Sequence, residues 1–186
     1  MWFHLVLVCT QTENYPIPAC NIPSDSSMIV LEGCDMQSLQ SLKDSAKSLA
    51  TLVIRDCPNL TDFSILKSVK FDKLEYLEIV GHLQFNRGIT KLNLSLQTSL
   101  KQLIIRNTAI DNISSISGLT KLSYLDLDDN NITDISPLKN LTSLEYLSLR
   151  ANNLTDVFPL SNLVSIKYLY LSYNRIDNIE GLRFMT

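Results

Sequence analysis

Glycine, cysteine and histidine are scarce in this 186-residue chain, at five, four and two residues. That scarcity excludes much chemistry. The sequence holds no glycine-rich phosphate loop, no HExxH pair, no nucleophile elbow and no Cys/His cluster at metal-ligand spacing. An enzyme is therefore not expected, nor any cofactor or metal. No run reaches the 18 or so consecutive apolar residues of a membrane-spanning helix. Charge of one sign is not in excess either: 16 Lys and Arg stand among 19 Asp and Glu, for a formal net charge of -3. Without a basic field, nucleic acid and anionic lipid are disfavoured as partners. What the chain does have is hydrophobic content, 45% of it, enough to bury a substantial core as one domain.

That content is periodic. From Leu100, Leu122, Leu144 and Ile166, a 22-residue frame places apolar residues at positions 1, 4, 6, 11, 14, 17 and 20. The unit from Leu122, LSYLDLDDNNITDISPLKNLTS, fits throughout; the next gives Leu144, Leu147, Leu149, Leu154, Val157, Leu160 and Leu163. Self-similarity at such a period marks a repeat architecture, in which each unit buries its apolar face against its neighbours. Earlier units begin at Leu74 and Leu49 with periods of 26 and 25, and a first is visible in Ile29, Leu31, Cys34 and Met36, making about seven. Positions 4 and 6 share strand period 2 and point inward, while 3, 5, 7 and 8 are left free.

The pattern LxxLxLxxNxI resembles the signature of leucine-rich repeats over about residues 28–186. The tails ITDISPL and IDNIEGL are similar to the 22-residue subclass of bacterial internalins and of certain intracellular phosphatase regulators. The resemblance implies an α/β fold: a curved solenoid with a parallel sheet on its concave face and short irregular or 3-10 segments on its convex face.

Position 9 turns the chain away from the sheet, and its side chain must satisfy backbone groups there. It reads Cys34, Cys57, His82, Thr108, Asn130, Asn152 and Asn174. An asparagine amide both donates and accepts, so stacked turns are expected to form a hydrogen-bonded ladder. His82 departs from the family pattern, and ITKLNLSL after it is read as a bulge or a second extended segment. Cys34 and Cys57 are read first as small buried hydrophobes. A bridge between them stays open, as does, in an exported chain, a Cys20–Cys34 bridge that staples the cap.

The N-terminus carries an apolar stretch, Trp2 to Cys9, followed by small polar residues. Residues 1–12 are read as a possible truncated signal segment or as an apolar strand covering the first repeat. Residues 13–27, YPIPACNIPSDSS among them, form a capping run extended by its prolines. At the other end Thr186 falls at position 21 of the frame with no polar cap, so a truncated domain is expected. Six N-x-[ST] sequons, at Asn59, Asn93, Asn112, Asn131, Asn140 and Asn153, exceed the roughly three that composition would place by chance. They favour secretion.

Function is expected where the scaffold leaves residue identity free. Position 3 reads Tyr76, Gln102, Tyr124, Tyr146 and Tyr168, and Tyr170 and Tyr173 add to it, so six of seven tyrosines face the concave side. Amphipathic rings there suit a protein partner; they can equally pack on one another across strands. Glu78, Arg106, Asp126, Asp128, Asp129 and Arg150 share this face, a mixture favouring a protein over a polyanion. Asp126, Asp128 and Asp129 could suggest calcium, but are read as a solvated binding surface. The expected function is non-catalytic protein recognition in an extracellular setting, as a secreted protein or receptor ectodomain, with innate immunity added by family analogy alone. The alternative is an intracellular adaptor or phosphatase-regulating subunit.

Overall fold

The computed structural model describes residues 8–9, 25–33, 41–57, 63–81 and 92–183. Eight parallel strands lie in one sheet in sequence order: β1 (Val8–Cys9), β2 (Met28–Glu32), β3 (Thr51–Arg55), β4 (Tyr76–Val80), β5 (Gln102–Arg106), β6 (Tyr124–Asp126), β7 (Tyr146–Ser148) and β8 (Tyr168–Tyr170). Each of β2 to β8 is positions 3 onward of one unit, which gives the seven repeats, and β1 stands ahead of them. The register is strict. Leu52 pairs with Leu77, Leu77 with Leu103, Leu103 with Leu125, and so on through Leu147 and Leu169, which keeps every position-4 residue in one inward column. The sheet has to be parallel because each strand follows the last by one full circuit of the solenoid.

The circuits enclose one continuous core. In the unit from Leu122, residues Leu122, Leu125, Leu127, Ile132, Ile135, Leu138 and Leu141 are all 0–1% exposed, each contributing about 1.5–3 kcal/mol relative to exposure. Short 3-10 segments at Ser114–Ile116, Ser136–Asn140, Phe158–Leu160 and Glu180–Leu182 return the chain on the far side. An α-helical turn, Ser64–Ser68, does so in unit 2.

The position-9 ladder forms as its chemistry demands. Asn152 donates through Nδ2 to the carbonyls of Leu127, Leu149 and Arg150 at 2.9, 3.2 and 3.2 Å and accepts from the Ile132 N–H at 3.0 Å. Asn130 repeats this one unit back, with Thr108 donating both its N–H and its hydroxyl to Oδ1. Asn174 extends the pattern to Leu149 and Leu154. Cys57 is buried at the same position, its Sγ 3.2 Å from the Arg55 carbonyl. Just before the ladder, position 8 takes a left-handed conformation at Gly33, Asp56, Asn107, Asp129, Ala151 and Tyr173. Gly, Asn and Asp tolerate it, whereas at Ala151 and Tyr173 it costs about 1–2 kcal/mol.

A second polar ladder went unrecognised in the sequence. Position 13 is Asn112, Asp134, Asp156 and Asn178, and each accepts the backbone N–H two residues on at 2.8 Å, setting the entry to the 3-10 turn. The expected second extended segment in the stretch before Leu100 is not a strand at Leu92–Leu94, where Leu92 and Leu94 are buried in coil. Gln97 holds this excursion: fully buried, it donates to the carbonyls of Leu66 and Val69 and accepts from the Phe71 N–H. Those bonds fasten the extra residues to unit 2 rather than to the sheet. Cys20, Cys34, His82 and Asn59, and the pairing Cys20–Cys34, lie outside the described residues, as does most of the 13–27 segment. At the last unit Ile166, Leu169, Leu171, Ile176 and Leu182 are only partly buried.

The concave face as candidate functional site

Strand register turns the free positions into columns across the concave face. Position 3 runs Met28, Thr51, Tyr76, Gln102, Tyr124, Tyr146, Tyr168, and position 5 runs Val30, Val53, Glu78, Ile104, Asp126, Ser148, Tyr170. Position 7 continues as Arg55, Val80, Arg106, Asp128 and Arg150. The expected tyrosine column therefore exists as a physical row.

Charge on this face is largely used up internally in its first half. Glu78, 7% exposed, accepts from Arg55 at 2.7 Å and from the Tyr76 hydroxyl at 2.6 Å. Burial works to raise the Glu78 carboxyl, but these two donors outweigh it and the net shift is downward. Tyr76 is pushed up to about 12 by burial and by donating to Glu78. Two units on, the Arg106 guanidinium pairs with Asp126, which holds the Arg106 proton more tightly. Asp126 is 0% exposed. Its reading as part of a solvated binding surface is thus corrected: a carboxylate here is tolerated only because a cation from the preceding unit covers and neutralises it. It cannot reach a partner.

Asp128 is partly buried beside it. Its Oδ1 accepts from the Ser148 hydroxyl at 2.5 Å and from the Arg150 N–H at 2.8 Å, while Asp126 accepts from the Asp128 N–H at 3.2 Å. Burial, with the neighbouring Asp126 charge, raises the Asp128 carboxyl in spite of those donors. Among the described residues no group of three or more His, Cys, Asp or Glu is arranged to hold a metal ion.

The tyrosines divide into two kinds. Tyr124 and Tyr146 stack flat, centroids 4.1 Å apart and planes 7° from parallel, and the Tyr124 hydroxyl is raised by burial and by its hydrogen bond with Tyr146. Tyr168 and Tyr170 tilt against Tyr146 at 6.4 and 5.5 Å, and are 59% and 41% exposed, with Tyr173 at 77%. Arg150 is exposed and lies 5.9 Å from the Tyr173 ring centroid, within cation–π range. Of the predicted binding residues, the structure therefore gathers Arg150, Tyr168, Tyr170 and Tyr173 into one accessible patch over units 6 and 7, with the half-buried Tyr146 against it. Tyr76, Tyr124 and Asp128 are tied into contacts behind it. Arg55 was missed because its significance appears only through Glu78, 23 residues later.

Among the sequons, Asn112, Asn131 and Asn140 are exposed and Asn93 and Asn153 partly buried. No described helix is long and apolar enough to cross a membrane.

Known proteins give the same picture. Two copies of a family model for leucine-rich repeats match residues 98–140 and 142–183. No curated protein matches the sequence. Among solved structures, the fold is similar to internalin C2 from Listeria monocytogenes strain 4b F2365, at 24% identity and a TM-score of 0.62, covering 86% of this chain and 77% of that one. With one parallel strand per unit, asparagines at the turns and these matches, the chain has the fold of a leucine-rich repeat solenoid, and its residues 98–140 and 142–183 match the repeat family's model.

Proposed function

We propose that this solenoid is a non-catalytic, extracellular protein-recognition module, a secreted protein or receptor ectodomain, binding through the last two units of its concave face. A leucine-rich repeat scaffold supports protein–protein interaction in general. The observation that carries the location is the exposed patch of Tyr168, Tyr170 and Tyr173 around Arg150, the residue types that dominate binding hot spots. Exposed sequons at Asn112, Asn131 and Asn140 support the extracellular setting.

Replacing Tyr168, Tyr170 and Tyr173 together with Ser removes little buried area, so urea stability should hold while affinity for a partner recovered by pull-down falls by tenfold or more, about 1.4 kcal/mol. Unchanged affinity removes the patch from the reading. The setting has its own check: the native gene product should lose mass on glycosidase treatment, and an unmodified cytosolic product would refute it.

A further inference from the structure

A rule of pairing runs diagonally across the concave face. An arginine at position 7 of one unit meets a carboxylate at position 5 of the next: Arg55 with Glu78, and Arg106 with Asp126. Arg150 is the third arginine in the position-7 column. Position 5 of the following unit is Tyr170 instead, and no carboxylate lies within ion-pair distance of the Arg150 guanidinium among the described residues. Its aromatic neighbour is the Tyr173 ring, 5.9 Å from the guanidinium to the centroid, and the adjoining strands carry the Tyr146–Tyr170 pair. The carboxylate that the chain itself supplies at two diagonals is missing at this one, which leaves the Arg150 guanidinium for an outside carboxylate.

Resting on the recognition reading above, we infer that Arg150 receives a carboxylate side chain of an acidic segment in the protein partner, with Tyr168, Tyr170 and Tyr173 packing on the apolar residues beside it. A guanidinium offers a planar fork that matches a carboxylate with two parallel hydrogen bonds, and flanking rings reduce its hydration, which strengthens the pair. Asp128 and Asp129 stand on the N-terminal side of Arg150 and repel a second acid there. The acidic residue therefore enters at Arg150 and the partner segment continues toward β8.

The test uses arginine Nε–Hε resonances of the whole chain labelled with nitrogen-15, at about 50 mM salt to limit screening. The probes are acetyl-Val-Glu-Val-amide and its glutamine counterpart, each titrated into the millimolar range. The Arg150 resonance, assigned by its loss in Arg150→Gln, should move saturably with the glutamate peptide and bind it about fivefold more tightly than the glutamine peptide. Arg55 and Arg106, already paired, should stay still. Tyr170→Glu should complete the internal diagonal and abolish the response. A motionless Arg150, equal movement of all three arginines, or equal affinity for the two peptides overturns the inference. If the Arg150 resonance is silent while the triple tyrosine variant still loses the partner, the carboxylate proposal falls and the recognition surface stands; if neither changes anything, both fall.

Discussion

Asn152→Ala measures what the ladder contributes, and its cost can be worked out bond by bond. Three carbonyls lose a donor, but none is stranded: Leu127 keeps Asn130 Nδ2, Leu149 keeps Asn174 Nδ2, and Arg150 keeps the Asp129 N–H. The Ile132 N–H loses Asn152 Oδ1 from a buried hydrogen bond, at about 1–3 kcal/mol. Adding the small cavity and weakened sharing gives a loss of about 3 kcal/mol. Asn174→Ala strips the same bonds from a half-exposed turn, where water replaces them, and should cost about 1 kcal/mol. In urea, with a slope of about 2 kcal/mol per molar, the first variant lowers the midpoint by about 1.5 M and the second by about 0.5 M. Asn152→Asp adds a sign test. It keeps the acceptor toward Ile132 but sets a carboxylate against three carbonyls, which raises its folded pKa above its unfolded value. Its deficit should therefore grow as pH rises through the folded pKa and shrink below about pH 4. Equal costs at Asn152 and Asn174, or less than about 1 kcal/mol at Asn152, would refute the reasoning.

Two further substitutions probe the concave face and the convex turns. Asp128 has a raised folded pKa, so the stability linked to its proton is full below the ordinary value of 3.8 and lost as pH rises through the folded one. Asp128→Asn offers Ser148 and Arg150 the same acceptor oxygen without the charge; it should gain up to about 1 kcal/mol at pH 7 in urea melts, an advantage absent near pH 3, and a loss at pH 7 counts against it. Gly181→Ala places a Cβ 2.5 Å from Phe158 Cα and 2.7 Å from the Val157 carbonyl oxygen. That backbone cannot yield cheaply, so about 1–3 kcal/mol should be lost. Gly118→Ala, with nothing within 4 Å, should cost nothing, and similar thermal shifts for the two would refute the clash.

What was legible in the sequence is what repeats within a unit. The 22-residue frame located the strands, the inward leucines and the turn asparagines, because each role recurs at one position and one amphipathic rule serves all of them. The position-13 ladder was equally periodic, at Asn112, Asp134, Asp156 and Asn178, and was overlooked because exposed Asn and Asp carry no hydrophobic signal. Exposure on the concave face was not legible. Asp126 alternates outward just as predicted, yet it is covered by an arginine 20 residues earlier, and no rule internal to a unit reports that. Gln97 is similar: a polar residue in a long insertion became a buried clasp through partners in the preceding circuit.

Those contacts between units also explain why the face is not uniform along its length. A carboxylate in a concave column is desolvated by its neighbours and needs a cation from the adjoining strand; Glu78 and Asp126 have one, and the arginines that serve them are thereby occupied. Flat stacking does the same for Tyr124, whose ring area is spent on Tyr146, a pairing of about 0.5–1.5 kcal/mol beyond burial. Toward β8 both devices stop. Among the described residues no acid answers Arg150, and the rings of Tyr168, Tyr170 and Tyr173 remain exposed, each able to bury about 150–250 Å² against another surface. A ligand gains most where the scaffold has not already satisfied its own side chains, which is why the recognition proposed above is assigned to units 6 and 7 of this face.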